Sequence, residues 1–188
     1  MLEGFAYDDN AGMQKTTLFE LEWYYREENK KTQSGSLKYS HYKNEEFGEF
    51  IISKNALYRI KDDEQFKMLS LLYEQSLIDK NIIFSITLFE EKEHLKWKYD
   101  NFFSLSIEEF LDRFPIDFIE RQQRILKNLF NLHPNYGEKI NPMNLLLFFS
   151  KNEWEWQFIY TSMVKKHWIT AGTSDSSSVD PFFITICY

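Results

Sequence analysis

Apolar side chains recur at three- and four-residue steps in two long segments, which is the spacing of a helix with one buried side. In residues 62–80 these positions are Phe66, Leu69, Leu72, Tyr73 and Leu77. In residues 115–132 they are Phe118, Ile119, Ile125, Leu126, Leu129 and Phe130. We predict a helix over each segment, the second beginning at Pro115, where a missing amide hydrogen has no cost.

Two further helix starts are marked by side chains that bond the first free amides of a helix. Ser106 precedes Glu109 by three positions, which is the spacing of a capping box and predicts a short helix. Asn152 precedes Glu155 by the same distance and predicts a helix that runs to about His167. Acidic residues at the start of this second helix and basic residues at its end complement the helix dipole.

Short β-branched and aromatic runs predict strands. Residues 47–52 form one such run, which leads into a helix with Ser53 as its predicted N-cap. Residues 82–88 form a second run. Residues 168–170 and 182–186 flank a polar loop, and we predict that they pair as a hairpin.

Three remaining segments have other patterns. Residues 145–149 are continuously apolar and short, which predicts a buried strand. Residues 16–29 fit a helix, and their aromatic cluster at residues 23–25 also fits a strand. Residues 29–46 are mostly polar and predict a loop or a linker.

These elements together predict an α+β fold in two small units. Residues 1–100 are the predicted mixed α/β N-terminal module, and residues 104–188 are the predicted winged-helix-like unit. In the second unit the order of helix, short strand, capped helix and hairpin is that of a winged helix. The helix that begins at Asn152 takes the place of the recognition helix, and the hairpin takes the place of the wing.

The charge balance argues against duplex DNA as a partner. The chain has 22 Lys and Arg against 29 Asp and Glu, a net charge of −7, whereas proteins that bind DNA place basic residues against its phosphates. The helix at the recognition position carries Trp154, Trp156 and Phe158 rather than Arg or Lys, and the wing loop carries Asp175 and Asp180. We therefore expect the winged-helix-like unit to contact protein.

The two tryptophans of this helix are the predicted partner contacts. Trp154 and Trp156 are two positions apart, which is roughly 200° around a helix axis, so they cannot both face one core. Tryptophan contributes strongly to protein interfaces. The outward-facing tryptophan is therefore expected to contact a partner.

One local patch keeps nucleic-acid binding open as an alternative. Lys38, Tyr39, Tyr42 and Lys43 interleave basic and aromatic residues, the combination that holds single strands by charge and by base stacking. These four residues are the predicted nucleic-acid contacts of that alternative.

The sequence supplies no motif for catalysis, a cofactor or a metal. Cys187 is the only cysteine, and the histidines at His41, His94, His133 and His167 lack the spacing of metal ligands. A nucleophile elbow, a Walker loop and a dinucleotide fingerprint are all missing. We therefore predict a protein with no catalytic residue, cofactor or metal. An unrecognised enzyme remains an alternative, because paired carboxylates leave no spacing signature.

The hydropathy of the chain and the composition of its first twelve residues bear on its cellular location. No apolar run reaches the roughly 18 residues of a membrane span. Residues 1–12 lack the charged and then apolar pattern of a secretory signal. We expect a cytoplasmic protein that has no membrane partner.

Roughly residues 47–188, most clearly the second half of the chain, resemble a module of certain bacterial multidomain proteins. The similarity rests on residues 130–140 (FNLHPNYGEKI), 146–155 (LLFFSKNEWE) and 164–169 (VKKHWI). In those proteins a helical, winged-helix-like unit precedes a C-terminal domain similar to nucleoside 2-deoxyribosyltransferases and TIR domains. In that family the second hairpin strand continues into a Thr-Pro-Lys-Gly-Trp-like turn, whereas this sequence stops at Tyr188.

The resemblance implies that this chain is the N-terminal accessory or sensing part of a longer protein. Members of that family often carry an N-terminal zinc ribbon, for which this chain lacks the cysteines. No catalytic residue of the C-terminal domain has a matching position here.

Sequence reasoning therefore favours a non-enzymatic regulatory or interaction module. The expected partner is another protein or a fused C-terminal domain, and a homodimer is also compatible with the sequence. The alternatives are a nucleic-acid-binding winged-helix protein and an unrecognised enzyme.

Overall fold

A six-stranded sheet runs through the first half of the residues that the computed structural model describes, which are 14–32, 35–95, 101–132, 144–172 and 183–186. Its strands lie side by side in chain order: β1 (Gln14–Leu18), β2 (Leu21–Thr32), β3 (Gly35–Asn44), β4 (Gly48–Ser53), β5 (Ile83–Thr87) and β6 (Phe102–Ser106). The first four strands pair antiparallel, and β4, β5 and β6 pair parallel.

Helices and a separate hairpin complete the described part of the chain. The helices are α1 (Lys54–Arg59), α2 (Asp62–Ile78), α3 (Ile107–Leu111), α4 (Phe118–Leu132) and α5 (Glu153–Lys165), with a 3-10 helix at Phe89–Leu95. Strands β7 (Ile169–Gly172) and β8 (Phe183–Ile186) pair antiparallel as the predicted hairpin. The mixed sheet and the helices confirm the predicted α+β class.

Aromatic side chains on alternate sheet positions form the centre of the core. Trp23 is buried, and its ring lies 5.2 Å from the ring of Phe50 and 6.2 Å from that of Tyr42. The Trp23 indole N–H donates a 3.0 Å hydrogen bond to the carbonyl of Leu18, so its one polar group is satisfied. Residues of α2, α4 and α5 belong to the same buried cluster, so the helices cover this face of the sheet.

Three predicted helix starts, at Ser53, Ser106 and Asn152, are confirmed. The hydroxyl of Ser53 accepts the amide of Ala56, and Ser106 and Glu109 form the complete capping box of α3. The Asn152 side chain accepts the amide of Glu155, as expected for the start of α5. The start predicted at Pro115 is wrong: α4 begins three residues later, at Phe118, because the carboxylate of Asp117 accepts the amides of residues 119 and 120 and caps the helix there.

In the N-terminal half the structure decides one open alternative and overturns one prediction. Of the two alternatives for residues 16–29 the strand is confirmed, because their aromatic residues follow a period of two: Trp23 faces the helices, and Tyr24 is exposed on the other face. The prediction of a loop or linker over residues 29–46 is wrong. Most of residues 29–46 lie in β2 and β3 and not in a loop. Polar residues fit there because β3 pairs along its length with β2 and, from Tyr39 to Asn44, with β4.

The strand predicted at residues 145–149 is also wrong. These residues form consecutive hydrogen-bonded turns, in which the amide of Ser150 donates to the carbonyl of Leu145 at 2.9 Å. The side-chain oxygen of Asn144 accepts the amide of Leu147, and Phe149 has a φ of 49°. Local bonds to the asparagine therefore outcompete the extended conformation that the apolar run favours.

The predicted boundary near residues 100–104 falls just before β6, which is part of the main sheet. One buried cluster contains residues from both predicted units. Helix α4, the 145–149 turn, α5 and the β7–β8 hairpin follow one another in the predicted order. The division into two units and the winged-helix-like assignment stay predictions.

Arg124 connects the two helices that meet across this boundary. Its guanidinium binds both carboxylate oxygens of Glu74 in α2, and its Nε lies 3.0 Å from one of them. It also donates to the carbonyl of Arg113 and lies 5.0 Å from the centre of the Phe149 ring. We name these four residues the Arg124 cluster; it joins α2, α4, the α3–α4 connection and the 145–149 turn.

Removing Trp23 is expected to destabilise the fold strongly. Trp23→Ala empties the centre of the aromatic core and should lower the free energy of unfolding by about 3–5 kcal/mol. The matched control is Tyr24→Ala, which removes the neighbouring, 43% exposed ring and should cost about 1 kcal/mol or less. Urea unfolding followed by circular dichroism measures both; equal losses would contradict the placement of Trp23 in the core.

Breaking the Arg124–Glu74 ion pair from one side is expected to cost more than removing it whole. The two side chains are only 22% and 12% exposed, so Arg124→Met leaves a poorly solvated carboxylate and should cost about 3 kcal/mol. In the double variant Arg124→Met/Glu74→Leu, about half of that loss or more should be recovered. Urea unfolding of the single and double variants measures this, and additive losses would show that the pair is uncoupled.

Candidate functional site

Large apolar side chains are exposed both around the start of α4 and at the start of α5. Ile116 is 84% exposed, Ile119 55%, Trp154 82% and Phe158 67%. Trp154 and Phe158 are four residues apart and therefore lie on one side of α5. The rings of Phe118 and Phe158 are 5.4 Å apart and bring the two helices together here. We call Ile116, Ile119, Trp154 and Phe158 the α4–α5 apolar surface.

Polar contacts hold the two helices that carry this surface. Arg121 of α4 forms an ion pair with Glu155 of α5. The second oxygen of Glu155 accepts the amide of Lys151 at 2.8 Å, while Asn152 caps the helix. The Nε of Arg121 donates to the carbonyl of Pro115 at 3.3 Å. The start of α5 is thereby attached to the start of α4.

The structure places the two predicted contact tryptophans differently. Trp154 is the exposed one. Trp156 is half-buried; its ring stacks on Tyr160 at 5.1 Å and lies 6.1 Å from that of Phe148. The spacing argument therefore identified one outward-facing tryptophan correctly. A role for either in partner contact stays a prediction.

The predicted Lys and Tyr patch does not form one surface. Tyr39 and Lys43 point to one face of β3, and Lys38 and Tyr42 to the other, because strand residues alternate. Both tyrosines are buried: Tyr39 donates a 2.6 Å hydrogen bond to Glu28, and Tyr42 stacks within the aromatic core. Buried rings offer no face for a base to stack on, which corrects the stacking role predicted for Tyr39 and Tyr42.

Sequence reasoning missed a buried polar pair on the other face of the sheet. The imidazole Nε2 of His41 lies 3.1 Å from a carboxylate oxygen of Glu49, and Lys43 Nζ lies 2.6 Å from the second oxygen. The hydrogen bond from His41, then that from Lys43, lowers the pKa of Glu49 to about 2, although burial opposes this shift. The His41–Glu49 pair is visible only from the strand register. That register sets Lys43 directly opposite Glu49 and places His41 two residues before Lys43 on the same face of β3.

The role of the His41–Glu49 pair is structural. An imidazole beside a carboxylate also occurs in general-base catalysis, where the base must reach a proton of the substrate. His41 is only 1% exposed, and both oxygens of Glu49 are engaged by side chains of the same sheet. The pair therefore secures β3 to β4.

The described ranges of the chain contain neither a metal-binding cluster nor a membrane-spanning helix. In those ranges no three or more His, Cys, Asp or Glu side chains are arranged to bind a metal ion. No helix in the same ranges has the length and apolar character needed to cross a membrane.

Comparisons of the chain with protein-family models, with curated proteins and with solved structures found no match. The resemblance to the bacterial accessory module therefore stays a prediction, and the function has to be argued from the surface itself.

The pH dependence of stability should report the His41–Glu49 pair. Lowering the pKa of Glu49 from 4.5 to about 2 corresponds to roughly 3 kcal/mol at about 1.4 kcal/mol per pKa unit. Because the pKa is lower in the folded state, this stability is complete above the unfolded-state pKa and is lost as pH falls from 4.5 towards 2. The difference in unfolding free energy between wild type and Glu49→Gln should be largest at neutral pH.

Urea unfolding between neutral pH and about pH 3 measures that difference. Glu108→Gln is the control, since Glu108 is exposed in α3 and has no ion pair among the described contacts. A difference for Glu49→Gln that stays constant across this range would contradict the depressed pKa.

Proposed function

We propose that this chain is a non-enzymatic interaction module that binds a protein partner through the α4–α5 apolar surface. The observation that supports this most directly is the exposure of Trp154 and Phe158 on one side of α5. Single exposed apolar residues are ordinary, but a group of large ones marks a contact site. Tryptophan is also enriched among the residues that dominate interface energies.

The framework beneath the surface supports the same proposal. The Asn152 cap, the Arg121–Glu155 ion pair and the Phe118–Phe158 ring contact restrict the start of α5 before any partner arrives. A preformed surface loses less conformational entropy on binding than a mobile one. The exposed side chains are therefore suited to act as rigid anchors.

The resemblance to the accessory module agrees with a contact of this kind. In such a module the partner surface belongs to a fused or associated effector domain, and the interaction passes a regulatory signal to it. Trp154, which sequence reasoning named as a contact residue, lies at the centre of the proposal. Trp156 contacts Phe148 and Tyr160 and thereby helps to hold α5, the helix that carries Trp154.

Site-specific photo-crosslinking in the cell that expresses the protein tests the proposal. Benzoylphenylalanine in place of Trp154 should give one discrete protein adduct, because the photoreactive ring would lie in the interface. The matched control carries the same group in place of Tyr58, which is 81% exposed on α1 and far from α4 in sequence.

A second substitution decides whether the adduct depends on the apolar surface. Phe158→Ser, added to the crosslinking variant, should reduce the adduct at least about tenfold, as loss of a hot-spot residue does. Absence of any adduct, or identical adducts from positions 154 and 58, would overturn the proposed function. Circular dichroism and urea unfolding show that the variants remain folded.

A further inference from the structure

The exposed side of α5 carries a row of four side chains whose spacing is the same in both directions. Trp154, Phe158, Thr161 and Lys165 follow one another at steps of four, three and four residues, and all four are exposed. These steps keep every member within about 40° of Trp154 around the helix axis, so the row lies on one side of α5. From its first member to its last the row is about 16 Å long.

Charges of opposite sign lie at the two ends of this row. Helix α5 has Glu153 and Glu155 in its first turn and Lys165 in its last turn. Glu155 is paired with Arg121 of α4. Glu153 and Lys165 are exposed and have no ion pair among the described contacts. The row therefore has an available carboxylate next to Trp154 at one end and an available ammonium group at the other.

The charges around the α4–α5 apolar surface balance as a whole. Four acidic and four basic side chains lie at the start of α4 and at the two ends of α5: Asp117, Glu120, Glu153 and Glu155 against Arg121, Lys151, Lys165 and Lys166. A surface without excess charge does not select a strongly acidic or a strongly basic partner. It also places no excess of like charge in contact when two copies of the chain meet there.

We infer that the partner at the α4–α5 apolar surface is a second copy of this chain, whose α5 lies antiparallel to α5 of the first. This inference rests on the proposed function and names the partner. A two-fold axis reverses one helix against the other, so a row with the same spacing in both directions meets itself in register. Trp154 of each copy then lies across from Lys165 of the other, and Phe158 lies across from Thr161.

Each contact of this pairing is favourable. The two Phe158 side chains lie nearest to the axis, at the centre of the interface, where water is best excluded. At both ends the Lys165 ammonium group meets the face of a tryptophan ring, which attracts cations. Glu153 is adjacent to Trp154 and therefore comes close to Lys165 of the second copy. The acidic first turn of each helix thus faces the basic last turn of the other.

The crosslink formed at position 154 identifies the partner. The adduct should contain two chains of 22.8 kDa each, and peptide mapping should place the link within a few residues of Lys165. When the crosslinking variant is mixed with isotope-labelled wild-type chain, the adduct should contain one chain of each kind. An adduct with a different protein, or with a region of the second copy outside α5, overturns this inference and leaves the proposed function intact. Absence of any adduct overturns the proposed function itself, so the two failures are distinguishable.

Reversal of the charges at the ends of the row tests the antiparallel arrangement by sedimentation of the purified chain. Glu153→Lys should weaken self-association at least about tenfold, because it sets like charges against each other at both ends of the interface. Lys165→Glu should do the same. An equimolar mixture of the two variants should associate about as well as wild type, because opposite charges meet again at both ends.

Glu108→Lys is the matched control for these charge variants. It makes the same change at an exposed position in the first turn of α3 and should leave self-association unchanged. Phe158→Ser should weaken self-association at least about tenfold, as loss of a central contact does. Circular dichroism checks that each variant is folded.

Three results in sedimentation would contradict the inference. The first is a wild-type chain that stays monomeric up to about 0.3 mM, a concentration at which even weak dimers form. The second is equal self-association of Glu153→Lys and Glu108→Lys. The third is a mixture of Glu153→Lys and Lys165→Glu that associates no better than either variant alone.

Discussion

The bidentate ion pair between Arg124 and Glu74 is the interaction on which the arrangement of the helices depends. A planar guanidinium can bind both oxygens of one carboxylate and still donate to a third acceptor, here the carbonyl of Arg113. The bond fixes α4 against α2, which itself covers the sheet. The position of α5, and with it that of Trp154 and Phe158, follows because Arg121 and Phe118 of the same α4 helix hold α5 in place.

The sheet uses its two faces in different ways. One face carries the aromatic core around Trp23 and Phe50, where burial of large rings supplies the main stabilisation. The other face carries the His41–Glu49 pair, in which the carboxylate is compensated for its partial removal from water by His41 and by Lys43. Strand β3 contributes to both because its side chains alternate. A polar segment can therefore form a central strand when its charged side chains pair with side chains of the neighbouring strand, as Lys43 of β3 does with Glu49 of β4.

The buried and the exposed groups of this protein differ in the chemistry that they can perform. The pair that has the chemistry of a catalytic base, His41 and Glu49, lies inside the protein and is fully engaged. The large apolar groups exposed at α4 and α5 are aromatic rings and branched aliphatic side chains, which contact other surfaces and do not transfer protons. The interaction module that we propose accounts for both facts, since its stability comes from the buried groups and its contacts come from the exposed apolar ones.

Local patterns in the sequence determined the helices and those helix starts that Ser53, Ser106 and Asn152 cap, because a cap acts within a few residues of itself. They also determined that one of Trp154 and Trp156 faces outwards, since that follows from helix geometry alone. Tertiary structure decided the rest. The long β2–β3 ribbon is stable because β4 pairs with it, the polar pair at His41 exists only through cross-strand register, and Asn144 turned an apolar run into consecutive turns. The α4–α5 apolar surface likewise required the two helices to meet, because Phe118 and Phe158, whose rings join them, lie forty positions apart in sequence and come together only through packing.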